Sequence, residues 1–200
     1  MAAGALLIAC GALARELVEL KRCNQWEHMK IQCLPAQLHH TPGKIPDAVE
    51  ETIKKYRSDY ENIFVVYADC GTRGELDRVL EKYNVERIPG AHCYEFFAGR
   101  SIFSDFSDAE PGTFYLTDFL VRNFDRLVVK SLGLDRHPEL MDLYFGNYKR
   151  VIYLVQTKSD DLSKQAREHA EYLGLEYMEF LTGLEPFESD LKEHVIRWQN

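Results

Sequence analysis

The sequence predicts an α/β protein built on an open, mostly parallel sheet with helices on both faces. Three observations predict it. From Ala5 to Asn84, short apolar runs alternate with amphipathic segments in the order β-α-β-α-β-α. Residues 5–10 read as a buried strand, and Ile63–Ala68 is continuously apolar and rich in β-branched and aromatic residues. Two of the runs end in cysteine followed by glycine, as a tight strand exit into a helix would.

Residues 5–10 form the first expected strand. Residues 12–22 follow as a helix with Leu13, Leu17 and Leu20 on one face. Met29–Leu34 is the second strand. The loop PAQLHHTPGKIP carries three prolines, which forbid a helix through it. Pro46 suits the first turn of a helix running to about residue 60. Ile63–Ala68 is the clearest strand, and the turn DCGTRG leads from it into the helix ELDRVLEKYN. Residues 85–97 are expected as a further strand broken at Pro89-Gly90. RSIFSDFSDAEPG predicts a helix and a turn, whereas GTFYLTDFL fits a strand end and a helix start equally. RNFDRLVVKSLGL is expected to be helical to Gly133, and HPELMDLYFGNY to be a short helix ending near Gly146. Val151–Gln156 predicts a strand, DLSKQAREHAEYLG a helix capped by Gly174, LEYMEFLTG a strand, and FESDLKEHVIRWQN a terminal helix. The expectation is one α/β domain over residues 1–200, three-layered and Rossmann-like.

With 46% hydrophobic and 28% charged residues, the composition is that of an ordinary globular chain. A net charge of −8 argues against a nucleic-acid or anionic-membrane surface as the main partner. No apolar stretch approaches the ~18 residues of a membrane span. The start, MAAGALLIACGALAREL, has no basic region before its apolar run and reads as a first strand rather than a signal peptide. Five cysteines without CxxC spacing predict free or metal-bound thiols in a reducing cytoplasm.

Cys10, Cys70 and Cys93 each follow a strand-like run. In an open α/β sheet the strand exits line one edge, and ligands bind in the crevice outside it. Distant cysteines are therefore expected to converge there. A thiolate at a helix N-terminus is stabilised by unpaired N–H groups; the alternative for Cys10 is a small buried residue at a tight turn. Gly11 and Gly71, beside two of the thiols, would let a cofactor approach the backbone closely. His92, Cys93 and Glu95 follow the Pro89-Gly90 break. His39-His40 should emerge at the same edge, as a metal ligand, a general acid or base, or a solvated pair. Cys23 and Cys33 read as structural. Thiolates with imidazole select zinc, or iron as a mononuclear centre or iron–sulfur cluster. The expected metal ligands are Cys10, Cys70, Cys93 and His92, with Glu95 and His39 as catalytic acid–base groups. GxGxxG, GxxxxGK[ST] and GxSxG are absent.

The strings LIACGALAREL, QCLPAQLHHTPGKIP, VYADCGTRGELDRVL, RIPGAHCYEFFAG, EPGTFYLTDFLVRNFDRLV and LGLDRHPELMDLYFGNYKR occur together and in order. The chain thereby resembles the bacterial and archaeal family known as domain of unknown function 1638, over roughly residues 5–180. Its CG, DCGT and HCYEF motifs match Cys10, Cys70, His92, Cys93 and Glu95. Members of that family are often encoded beside corrinoid-dependent methyltransferases. The resemblance therefore implies a place near corrinoid or one-carbon metabolism, with a small-molecule substrate or a corrinoid or methyltransferase partner. Three functions are compatible: a metal-centred cysteine/histidine protein, a non-catalytic accessory to a methyltransferase system, and a metal-free enzyme with Cys70 as nucleophile.

Overall fold

A computed structural model describes residues 4–195. Their contacts group into two compact units: residues up to Phe96 with those from Phe187 on, and Phe97–Pro186. The expected class is observed, since each unit carries a parallel sheet with helices around it.

The first unit opens with β1 (Ala5–Cys10), which passes through a 3-10 turn (Gly11–Leu13) into α1 (Ala14–Cys23). β2 (Met29–Leu34) follows, then two 3-10 turns (Ala36–His40 and Pro42–Lys44), α2 (Ile45–Tyr56), β3 (Asn62–Val66), α3 (Glu75–Tyr83) and β4 (Glu86–Arg87). The strand order is β2-β1-β3-β4, and every pairing is parallel. All of β1 is buried because strands flank it on both sides. Leu13, Leu17 and Leu20 bury one face of the first helical stretch, as their spacing predicts. Pro46 lies in the first turn of α2, where its missing N–H breaks no helical bond.

The strand expected over 85–97 is largely absent. Only Glu86 and Arg87 pair with β3. Pro89 cannot donate to a ladder, Gly90 takes φ 132°, and the chain turns into a short helix, α4 (Tyr94–Ala98).

The second unit contains α5 (Arg100–Ala109), β5 (Thr113–Thr117), α6 (Asp118–Arg122), a π-helical turn (Asp125–Val129), α7 (Met141–Phe145), β6 (Arg150–Val155), α8 (Asp160–Leu173) and β7 (Glu176–Leu181). GTFYLTDFL is thus both alternatives, a strand end followed at once by a helix start. The sheet order is β5-β6-β7, all parallel. Ser159 caps α8 by accepting from Leu162 N at 3.3 Å, and Gly174 ends it at φ 69°. Where β5 and β6 end, Asp118 is 1% exposed. Its carboxylate accepts from the Tyr153 hydroxyl at 2.7 Å, Gln156 N at 3.2 Å and Thr157 N at 3.1 Å. The Arg122 guanidinium lies 3.7 Å away. The last helix, α9, spans Glu185–Val195; residues 196–200 of the expected tail helix lie outside the described residues. Among the described residues no helix is long and apolar enough to cross a membrane.

Candidate functional site

In the first sheet the chain leaves β1 on one side for β2 and returns on the other side for β3, so the strand order reverses at β1/β3. Such a switch point splays two loops apart and leaves a crevice beyond the strand ends. Ala9 pairs with Val66, so Cys10 and Tyr67 leave the sheet side by side. Cys10 pairs with Leu34, which brings the loop bearing His39 to the same edge.

Cys10 is 2% exposed, and its sulfur accepts from Ala12 N at 3.3 Å. Gly11 lies against β2: a Cβ there would sit 2.9 Å from the Leu34 carbonyl oxygen, so close backbone approach explains this glycine. The 3-10 turn phases His39 inward and His40 outward, a choice the sequence left open. His39 Nδ1 is 3.6 Å from Cys10 Sγ and 3.3 Å from the Ala36 carbonyl oxygen. Its ring stacks on Tyr67 with centroids 6.2 Å apart and planes 16° apart. His39 Nε2 and the Tyr67 hydroxyl are buried, and neither has a hydrogen-bond partner. Both nevertheless lie close enough to the cysteine sulfurs to feel their charge.

Cys70 follows β3 in a left-handed conformation, φ 48°, and its N–H donates to the Ala91 carbonyl at 2.9 Å. One residue earlier, Asp69 N donates to the Gly90 carbonyl at 3.0 Å. These two bonds lay the 90–93 segment alongside Cys70. The Asp69 carboxylate then binds its own loop, accepting from Gly71 N at 3.2 Å, Arg73 N at 3.1 Å, Gly74 N at 2.9 Å and the Thr72 hydroxyl at 2.8 Å. Burial raises the Asp69 pKa, but these donors together hold it below the ordinary value.

The thiol and imidazole groups form a chain running Cys10, His39, Cys70, Cys93. The nearby Cys93 thiol is the largest influence on Cys70. Together with the His39 hydrogen bond and charge and the charge of His92, it overcomes burial and brings the Cys70 thiol down to about 5. Cys93, half-buried, is pushed well above an ordinary thiol by the neighbouring Cys70 thiolate and by desolvation. Burial pulls His39 down, but the sulfurs of Cys10 and Cys70 outweigh it and push the imidazole up to about 10. At neutral pH His39 is therefore an imidazolium. Burial and the same sulfurs raise Tyr67 as well.

The other expected site residues are placed differently. Glu95 Oε1 accepts from Ala91 N at 2.7 Å and His92 N at 3.0 Å, so this carboxylate caps the entry to α4. The same interaction explains Gly90, where a Cβ would lie 3.0 Å from Glu95 Oε2. His92 is exposed, with its ring 6.4 Å from the Tyr94 ring, and reaches Cys70 through its charge. Gly71 is exposed at φ 85° beside Pro42. Cys33 is half-buried in β2 with its pKa raised by burial, and Cys23 is exposed at the end of α1, 3.3 Å from Glu19. All five cysteines are free thiols. Among the described residues no group of three or more His, Cys, Asp or Glu is arranged to hold a metal ion. Tyr67 escaped the sequence reading because it continues an apolar strand. Its only signal is its position two residues before Asp69-Cys70.

No curated protein and no solved structure matches the chain. A family model described as "Protein of unknown function (DUF1638)" matches residues 33–191, which takes in His39, Cys70, His92, Cys93 and Glu95 and begins after Cys10. That match covers most of the chain, and the protein belongs to the DUF1638 family.

Proposed function

We propose that the protein is a thiol-dependent enzyme whose reactive group is the Cys70 thiolate. The observation that carries this reading is the position of Cys70 at the switch point of a parallel sheet, near the His39 imidazolium and with the segment bearing Cys93 bonded alongside it. A thiolate is a strong nucleophile toward soft electrophiles, at sulfur or at polarised carbon. Held near a pKa of about 5, Cys70 is ionised at neutral pH, whereas an ordinary thiol is mostly protonated. His39 supplies the proton that a departing group needs. Tyr67 offers a buried hydroxyl to orient the substrate.

Iodoacetamide labelling at pH 6, with peptide mapping, tests this. Cys70 is expected to react first and fastest, and a Cys70→Ala variant to lose that fast phase. Labelling of Cys70 no faster than of Cys23 would sink the reading.

A second reading is favoured by His39 Nε2, buried without a partner on a ring that lies near the Cys10 and Cys70 sulfurs. Cys10, Cys70 and Cys93 with His39 or His92 are donors that suit zinc or iron. Elemental analysis of protein purified without oxygen separates the two. About one metal per chain, lost in Cys70→Ala, would favour the metal centre.

A further inference from the structure

Arg87 ends β4, two residues before Pro89. It pairs with Val65 of β3, and the next residue, Ile88, still donates its N–H to the Val65 carbonyl at 3.0 Å. Beyond that point the ladder stops, because Pro89 has no N–H to give and Gly90 takes φ 132°. The Arg87 side chain takes over there. Its Nη1 donates to the Ile88 carbonyl at 3.0 Å and to the Gly90 carbonyl at 3.4 Å, one on each side of Pro89. Its Nε and Nη2 grip the Asp77 carboxylate at 2.6 and 3.0 Å. Asp77 lies in the first turn of α3, the helix into which the turn after Cys70 leads. The Arg87 side chain is only 16% exposed and all three of its nitrogens are used, unlike the loose surface ion pairs that contribute little. The Gly90 carbonyl is shared: it also accepts from Asp69 N at 3.0 Å, and the next carbonyl, that of Ala91, accepts from Cys70 N at 2.9 Å. One guanidinium thus ties together the strand, the break and the helix that lay the 90–93 segment along Cys70.

We propose that Arg87, held by Asp77, is a positioning residue of the site: it sets where the segment bearing His92 and Cys93 lies against the Cys70 turn. This inference rests on the reading of Cys70 as the reactive group. Arg87 acts through the backbone carbonyls of Ile88 and Gly90. The planar fork is what the arrangement needs, since two nitrogens face a carboxylate while the third reaches two carbonyls in fixed directions. A lysine ammonium carries the same charge, but as a point donor on a flexible stem it cannot span both partners. Glu95 holds the same segment by its N–H groups, accepting from Ala91 N at 2.7 Å and His92 N at 3.0 Å. Arg87 holds it by its carbonyls, so the two side chains act on complementary backbone groups.

Amide hydrogen exchange read residue by residue, with iodoacetamide labelling of each cysteine, tests the proposal on Arg87→Gln and Arg87→Lys. Both variants should speed exchange at the Asp69 and Cys70 amides, which bond the segment, by about tenfold, while Leu7 in β1 exchanges as in the wild type. Cys93 should label several-fold faster, with Cys33 in β2 unchanged. Asp77→Asn, at a side chain that is 45% exposed, leaves the core intact and should show the same pattern more weakly. Unmoved Asp69 and Cys70 amides in all three variants overturn the proposal. So does a gain in exchange and labelling spread evenly over Leu7 and Cys33, which marks a general loss of stability. Wild-type behaviour in Arg87→Lys overturns it as well, since charge alone would then suffice. Labelling of wild-type Cys70 separates the two failures. If Cys70 labels no faster than Cys23, the thiolate reading falls, and the amide pattern still decides whether Arg87 holds the segment. Fast Cys70 labelling with unmoved amides removes this inference alone.

Discussion

The two units solve the same local problem in opposite ways. Each ends its parallel strands in polar side chains buried at the sheet edge. In the second unit Asp118 is saturated: the Tyr153 hydroxyl and two backbone N–H groups converge on its oxygens, with Arg122 close by. In the first unit the Tyr67 hydroxyl and His39 Nε2 stand buried with no partner, near the Cys10 and Cys70 thiols. Burial without a hydrogen bond is unfavourable by about 1–3 kcal/mol per group. The saturated cluster holds the fold together, whereas the unsaturated one is maintained against that cost.

The largest effect should come from the saturated cluster. Asp118→Ala strands a hydroxyl and two buried N–H groups, and is expected to destabilise the protein by about 3–5 kcal/mol. Denaturant melts measure this; a loss under about 1 kcal/mol would erase the contrast. Next comes the ion pair. With Cys70 held at about 5 and His39 at about 10, the labelling rate of Cys70 should rise through pH 5, stay level, and change again near pH 10. The linkage follows the same groups. Cys70, depressed from 9.0, contributes stability that is complete above that value and lost as pH falls through about 5. His39, raised from 6.5, contributes stability that is complete below 6.5 and lost as pH rises through about 10. His39→Gln should therefore slow labelling of Cys70 at pH 6 several-fold, since a thiol whose pKa rises above the working pH is mostly protonated there. An unchanged pH profile would show that His39 does not hold the thiolate. The smallest effect makes the sharpest comparison. Tyr153→Phe removes a made hydrogen bond and should lower stability by about 1 kcal/mol. Tyr67→Phe removes only an unpartnered hydroxyl and should leave stability equal or higher. Equal losses from both would mean that Tyr67 is satisfied in solution.

The gathering of Cys10 and Cys70 at one edge was legible because parallel strands share a direction, so their exits must share a side. His39 could not be told from His40, since the phase of a 3-10 turn between two prolines is set by packing and not by composition. Glu95 illustrates a different failure. Pro89-Gly90 announced a break, but nothing local said that the chain would turn helical and spend the carboxylate on a cap. Asp118 carried a usable signal, an acid directly after the apolar run TFYLT, which the ambiguity between strand and helix obscured. The π-helical turn at Asp125–Val129 left no mark in a sequence that is helical by every periodic criterion.

The Asp69 loop has a consequence for the turn after Cys70. At the start of α3 the N–H groups of Gly71, Arg73 and Gly74 point at one spot, the kind of cradle that elsewhere receives phosphate. Here the chain supplies its own anion and fills the cradle with it. That cradle is thus already occupied and negatively charged. The donors that elsewhere hold a phosphate here hold the turn itself, directly after Cys70.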